Sequence, residues 1–334
     1  MIRRLRERLA AAVEAWLLGL SVRRNRLIGL SLLRILLGTA ALEFYLSEYR
    51  RREVLWGPEG YFDITAFRGN VPLWWTSVYG WTDSSLLFES VYHTGIVAAV
   101  AFTVCGGRTL TALHGFLIWS VHLRNGYVLD HGHLLSRILL LFLLLTTCDA
   151  YLSPWASRRR ARLSDRVKRA RWGDAVHNCA VFLMVFQVCV VYCLSGLWKL
   201  LGDQWREGTA VYYVVHAFET PPLTLTSPLA STTWITVPLT YATVVLEVAF
   251  PVLLATRHPF VRGLTALSAA AMHVGIVPLV GLLNFSLTMI AADCLLLRDA
   301  DYRAGRSALR RLSHGAGRMS PHAGARRHPG LLRR

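Results

Sequence analysis

Apolar residues in this chain fall into runs separated by short charged or glycine-containing breaks. Most runs approach the ~20 residues that a helix needs to cross the hydrocarbon core of a bilayer. Eight helices are predicted, at Leu27–Tyr45, Ser84–Val104, Leu110–Tyr127, His133–Thr147, Ala175–Trp198, Thr232–Leu254, Gly263–Leu279 and Val280–Leu297. The fourth run is short. The last two adjoin, and only Gly281 and Asn284 mark a boundary between them. A single helix there would move the C-terminus to the other side. The pattern predicts an all-α polytopic transmembrane helical bundle of about eight helices, spanning residues 27–297. A basic amphipathic segment (1–26) precedes it, and a basic tail (298–334), rich in Gly, Arg and His from His314 onward, is expected to lack structure.

Composition agrees with this reading. Hydrophobic residues make up 54% and charged residues 17% of the chain, below the ~25% charged content of soluble domains. The apolar run after Ala10 ends at Leu20 without a small-residue cleavage site, so it does not read as a cleaved signal peptide.

The net charge of +17 would suit a nucleic-acid binder. Its distribution argues otherwise, because arginines cluster at the borders of apolar runs, where they set topology and meet anionic lipid. With the N-terminus inside, 28 Lys and Arg residues fall on the inner side and seven on the outer, with Arg34 and Arg137 within spans. This predicts a cell-membrane protein with both termini cytoplasmic. The triplet Arg50–Arg52 is an outer exception, to be tied to Glu48 and Glu53 or to an outer-face site. No nucleic-acid partner is expected; the lipid bilayer is. The six cysteines lie mostly within or at the ends of apolar runs without a CxxC pair, which fits packing residues better than a redox or metal site.

Two predicted outer segments, Glu53–Asp83 and Leu200–Ser231, exceed ordinary turns. Their aromatic content predicts that both fold over the outer face.

Ionisable groups inside spans cost roughly 2.5–3.5 kcal/mol each on insertion scales, so each calls for a partner or a polar cavity. Arg34, Glu43, Glu89, Arg137, Glu247, His273 and Asp293 are of this kind. Asp130 is placed to cap the fourth helix, with His133 and Arg137 on one face and His131 on another. The His131-Gly-His133 pair could ligate a metal, but two ligands do not make a site and no third is indicated. At the end of the fifth run, Lys199 is either a snorkelling anchor or a functional group, with Trp205 and Tyr212 close behind it.

The order of several motifs resembles the HTTM family, the horizontally transferred transmembrane domain shared with vitamin K-dependent γ-carboxylases. They are Leu32-Leu-Arg-Ile-Leu-Leu-Gly38, Trp56-Gly-Pro-Glu-Gly60, Leu134-Leu-Ser-Arg-Ile-Leu139, and Ser195-Gly-Leu-Trp-Lys-Leu200 followed by Trp205 and Gly208-Thr-Ala-Val-Tyr-Tyr213. The resemblance covers nearly the whole chain, though not the luminal β-rich domain of the carboxylases. It implies Lys199 as a catalytic base and His133 as its assistant. It further implies an outer-facing cavity bounded by the third to sixth helices, with Arg34, Arg137, His131, Trp205, Tyr212, Glu247 and His273 as cavity residues. The implied cofactor is a membrane quinol, menaquinone or vitamin K-like, for carboxylase-like or oxidoreductase chemistry, or modification of a secreted peptide. The alternative implied by other bacterial members is a non-catalytic membrane partner in peptide maturation or export.

Overall fold

The computed structural model describes residues 23–165, 171–217, 232–256 and 258–318. Among them every regular element is a helix. Five helices are long and apolar enough to cross a bilayer: α1 (Leu27–Ser47), α4 (Ser85–Val104), α8 (Arg171–Leu201), α11 (Thr233–Ala255) and α12 (Pro259–Val280). The other three expected spans are also helical, as α5 (Arg108–Arg124), α6 (His131–Leu143) and α13 (Leu283–Asp293). At 13 and 11 residues α6 and α13 fall short of a full crossing, and α5, at 17, is at the lower limit. The eight apolar segments therefore form eight helices, but not eight full spans.

The short helices survive because they are packed within the bundle. Helix α13 touches α1, α6, α8 and α12. Its Ser286, Thr288, Met289, Ala291, Ala292 and Asp293 are all buried. The break before it falls at Gly281, whose φ of 82° ends α12 in the left-handed region that glycine adopts at little cost. The last two apolar runs are thus separate helices.

One end of the bundle is closed by polar ties. The carboxylate of Asp299 accepts the backbone N–H groups of Leu27 (3.2 Å) and Ile28 (2.8 Å), two of the orphan donors that begin α1. Arg24 pairs with Asp174 at 2.7 Å. His177 accepts the Thr147 N–H at Nδ1 (3.1 Å) and bonds the Asn25 carbonyl through Nε2 (3.1 Å). Arg34, fully buried, donates to the carbonyls of Phe102 (3.0 Å), Thr103 (2.6 Å) and Leu152 (2.6 Å). It closes the C-terminal end of α4, where carbonyls lack helical partners, and is a clamp rather than a cavity residue.

The opposite end carries the first folded-over segment. Residues Arg52–Trp56 and Ile64–Asn70 form α2 and α3, followed by two 3-10 turns. Asp63 caps α3 by accepting Thr65 and Ala66 N–H at 2.7 and 2.9 Å. Arg124 donates to the Gly57 carbonyl at 2.6 Å, and Trp56 is buried against Phe44. The Trp56–Gly60 motif therefore secures this cap. Arg52 pairs with Glu89 at 3.0 Å rather than with Glu48 or Glu53, while Arg51 approaches Glu48 at 3.8 Å on the exposed surface.

Of the second expected cap, α9 (Asp203–Arg206) and α10 (Ala210–His216) are described; Pro221-Pro222 lies outside the described residues. So do residues 1–22 of the basic N-terminal segment and 319–334 of the tail. The tail expected to lack structure is helical over α14 (Asp299–Arg318). The intervening α7 (Ala156–Asp165) carries basic residues. All six cysteines are free thiols.

Candidate functional site

Helix α8 presents Tyr192, Ser195 and Lys199 at spacings of three and four, which stacks them on one face. That face meets α11 at Gly196. A Cβ there would come within 2.9 Å of the Glu247 Cβ and the Val248 backbone nitrogen. Only glycine permits this approach, and the approach brings Lys199 to Glu247.

The Lys199 ammonium donates to Ser195 Oγ at 2.7 Å and to both Glu247 oxygens at 2.8 and 2.7 Å. It also lies 5.0 Å from the centre of the Trp205 ring. Its three hydrogens have three acceptors. The Lys199 side chain is 19% exposed and that of Glu247 only 7%. At about 1.5 Å per residue, Glu247 lies roughly 21 Å from the first residue of α11. The first half of α11 continues beyond the end of α8, covered by α9 and α10: Tyr241 donates to the Arg206 carbonyl at 2.9 Å, and Val211 N–H to Thr240 Oγ1 at 3.2 Å. A snorkelling lysine ends in water. This one ends on a buried carboxylate. In addition, Pro251 provides no N–H for the Glu247 carbonyl one turn earlier, which loosens the backbone at the pair.

Farther along the same face of α8, Tyr192 stacks on Phe250 with ring centres 3.9 Å apart. Its hydroxyl lies 2.8 Å from His273 Nε2 and 3.0 and 3.2 Å from the Asp293 oxygens. Donation to Asp293 with acceptance from His273 Nε2–H satisfies both contacts. All three side chains are buried. Lys199, Glu247, Tyr192, His273 and Asp293 thus make two polar levels inside an apolar bundle, supplied by α8, α11, α12 and α13.

His133 belongs to a different setting. Asp130 caps α6 by accepting the His133 N–H at 3.0 Å, and its carboxylate lies 2.7 Å from His133 Nδ1. Burial raises the Asp130 carboxyl, but the hydrogen bonds from His133 and the backbone outweigh it and hold the group below the ordinary aspartate range. The His133 ring lies 5.0 Å from that of His122, and both meet Phe44 edge-on. His114, His122, His133 and Asn284 line one cavity among apolar residues of α1, α5 and α6, with room for about one water. Lys199 does not line it. The first turn of α13 stands between the two settings: Gly132 abuts the Phe285 backbone, Asn284 faces the histidine cavity, and Phe285 packs on His273.

The other predicted residues separate in the same way. Arg137 lies over the Trp119 ring at 5.6 Å, and His131 is exposed. Tyr212 stacks on His216 at 4.2 Å. No three His, Cys, Asp or Glu side chains among the described residues are placed to hold one metal ion together. Sequence reasoning passed over His114 and His122, whose signal was a pair of histidines in one apolar run. It also left Tyr192 and Ser195 unassigned, although both share the Lys199 face.

No protein-family model matches the chain, and no solved structure matches it. It is similar to the uncharacterized protein YitO of Bacillus subtilis (strain 168), with 26% identity over 239 residues. That match covers 69% of this chain and 74% of YitO.

Proposed function

We propose that this is an HTTM-like integral membrane enzyme in which Lys199 and Glu247 form the proton-accepting site for a lipid-soluble quinol. The observation that carries the reading is the Lys199–Glu247 contact within the length of α11, between a half-buried ammonium and a buried carboxylate. The chemistry of the donor set fits the cofactor. A lysine with some exposure adjoins an aromatic face at Trp205, and the end of α8 bears exposed Trp198, Leu200 and Leu201 toward an apolar phase. A bound quinol would supply an acidic hydroxyl and reducing equivalents.

The chain's part is proton handling. In a poorly solvated setting, one ammonium hydrogen can pass to Glu247, leaving a neutral amine beside a neutral acid. That amine is a general base, and Ser195 holds it in place. Uptake of a proton returns Lys199 to the ammonium form. His133 takes no part in this step, because it lines another cavity. Both termini are assigned to the cytoplasmic side on the charge distribution.

Gentle purification followed by organic extraction tests the assignment. The account expects a quinone to accompany the wild-type protein and to be depleted from a folded Trp205→Ala variant. A quinone-free protein that purifies instead in a stable complex with a second membrane protein overturns it in favour of the partner role.

A further inference from the structure

Helix α14 begins at Asp299, whose carboxylate holds the first N–H groups of α1. It therefore starts at the level where an apolar span starts. Along it, Arg303, Arg306 and Arg310 recur at intervals of three and four and share one side. Tyr302 and Leu309, seven apart, share the adjoining side. The three arginines and Arg311 are exposed, and Leu309 is 69% exposed. An arginine face beside an apolar face on a helix of low overall hydrophobicity is the composition of a helix that lies in a bilayer interface. The same end of the bundle carries α7, with Arg158 exposed and Arg159 half-buried and bonded to Asp149.

We infer that α14 is an interfacial helix that docks on anionic lipid headgroups, with Leu309 inserted below them and Arg303, Arg306 and Arg310 paired with lipid phosphates. Charge complementarity selects this occupant. Positive residues on one face have a matching surface in an anionic leaflet.

The full chain in lipid nanodiscs tests this. In a background without native cysteines, an environment-sensitive fluorophore is placed at Leu309→Cys or at Ser307→Cys, about 160° away around the helix. In discs containing phosphatidylglycerol, emission from position 309 is expected to shift to the blue and to be quenched by doxyl-labelled lipid, while position 307 remains open to aqueous iodide. Discs of phosphatidylcholine alone should reduce lipid quenching at 309. The triple change R303E/R306E/R310E should lower the membrane-docked ratio by about tenfold or more, while R303K/R306K/R310K retains docking. A probe at 309 that stays open to iodide in anionic discs overturns the inference. So does protection that is equal in neutral discs and indifferent to charge reversal, which would indicate a protein contact.

Discussion

Removing one member of the Lys199–Glu247 pair should cost far more than removing both. In Glu247→Leu, the ammonium keeps its place beside Ser195 but loses both carboxylate contacts, at 2.7 and 2.8 Å. In Lys199→Met, a carboxylate only 7% exposed is left without its cation. Breaking a buried ion pair in this way costs roughly 3–5 kcal/mol, whereas replacing both partners with apolar groups of similar volume is near neutral or stabilising. The 19% exposure of Lys199 places Glu247→Leu, which leaves the ammonium without its carboxylate, toward the low end, at about 3 kcal/mol. The double variant should lie within about 1 kcal/mol of wild type, giving a coupling of several kcal/mol against additivity. Reversible unfolding in mixed micelles titrated with dodecyl sulfate, on all four proteins, measures this. Single-variant losses below about 0.5 kcal/mol that simply add would show an exposed pair and refute the geometry.

Gly196→Leu should separate α8 from α11, because even a Cβ meets the Val248 backbone at 2.9 Å; a loss of about 1–3 kcal/mol in the same titration is expected, and an unchanged midpoint would show that the helices do not approach there. The basic helix α7 should face the cytoplasm, so Ser164→Cys in a background without native cysteines should resist an impermeant thiol reagent in intact cells and react after permeabilisation. Labelling in intact cells would reverse the topology. Tyr192→Phe should destabilise the protein by about 1–3 kcal/mol, since Asp293 and His273 both lose a buried partner; a neutral effect in the unfolding titration would count against the Tyr192–Asp293 contact.

The helices were legible because apolar run length depends only on local composition. Whether the last two runs are one helix or two stayed open in the sequence, because Gly281 and Asn284 alone mark the boundary; the positive φ of Gly281 is what ends α12. The short crossings were harder to see. Helices α5, α6 and α13 depend on neighbours for burial, which a hydropathy pattern does not record. The helix over Asp299–Arg318 was missed because Gly and Arg content suggested disorder, while its three-and-four arginine spacing was overlooked.

At the site, Lys199 and Glu247 each stood out as a charge in an apolar run. Their pairing did not, since they are 48 residues apart and their register depends on the close approach at Gly196. His133 and Lys199 were expected to border one cavity. Phe285 and Asn284, from a helix 150 residues farther along the chain than α6, come between them, and no motif near either residue encodes that.

The central claim is that Lys199 acts as a base rather than as a fixed charge. Its most direct test is oxidation of a reduced, lipid-soluble quinol, with dissolved dioxygen as the two-electron acceptor, by the protein in air-equilibrated proteoliposomes, comparing wild type with Lys199→Arg and Lys199→Ala at matched insertion. Arginine retains the charge but cannot deprotonate near neutral pH. The account predicts turnover by wild type and none by either variant. Full turnover by Lys199→Arg with loss in Lys199→Ala, or no turnover by wild type, would contradict it.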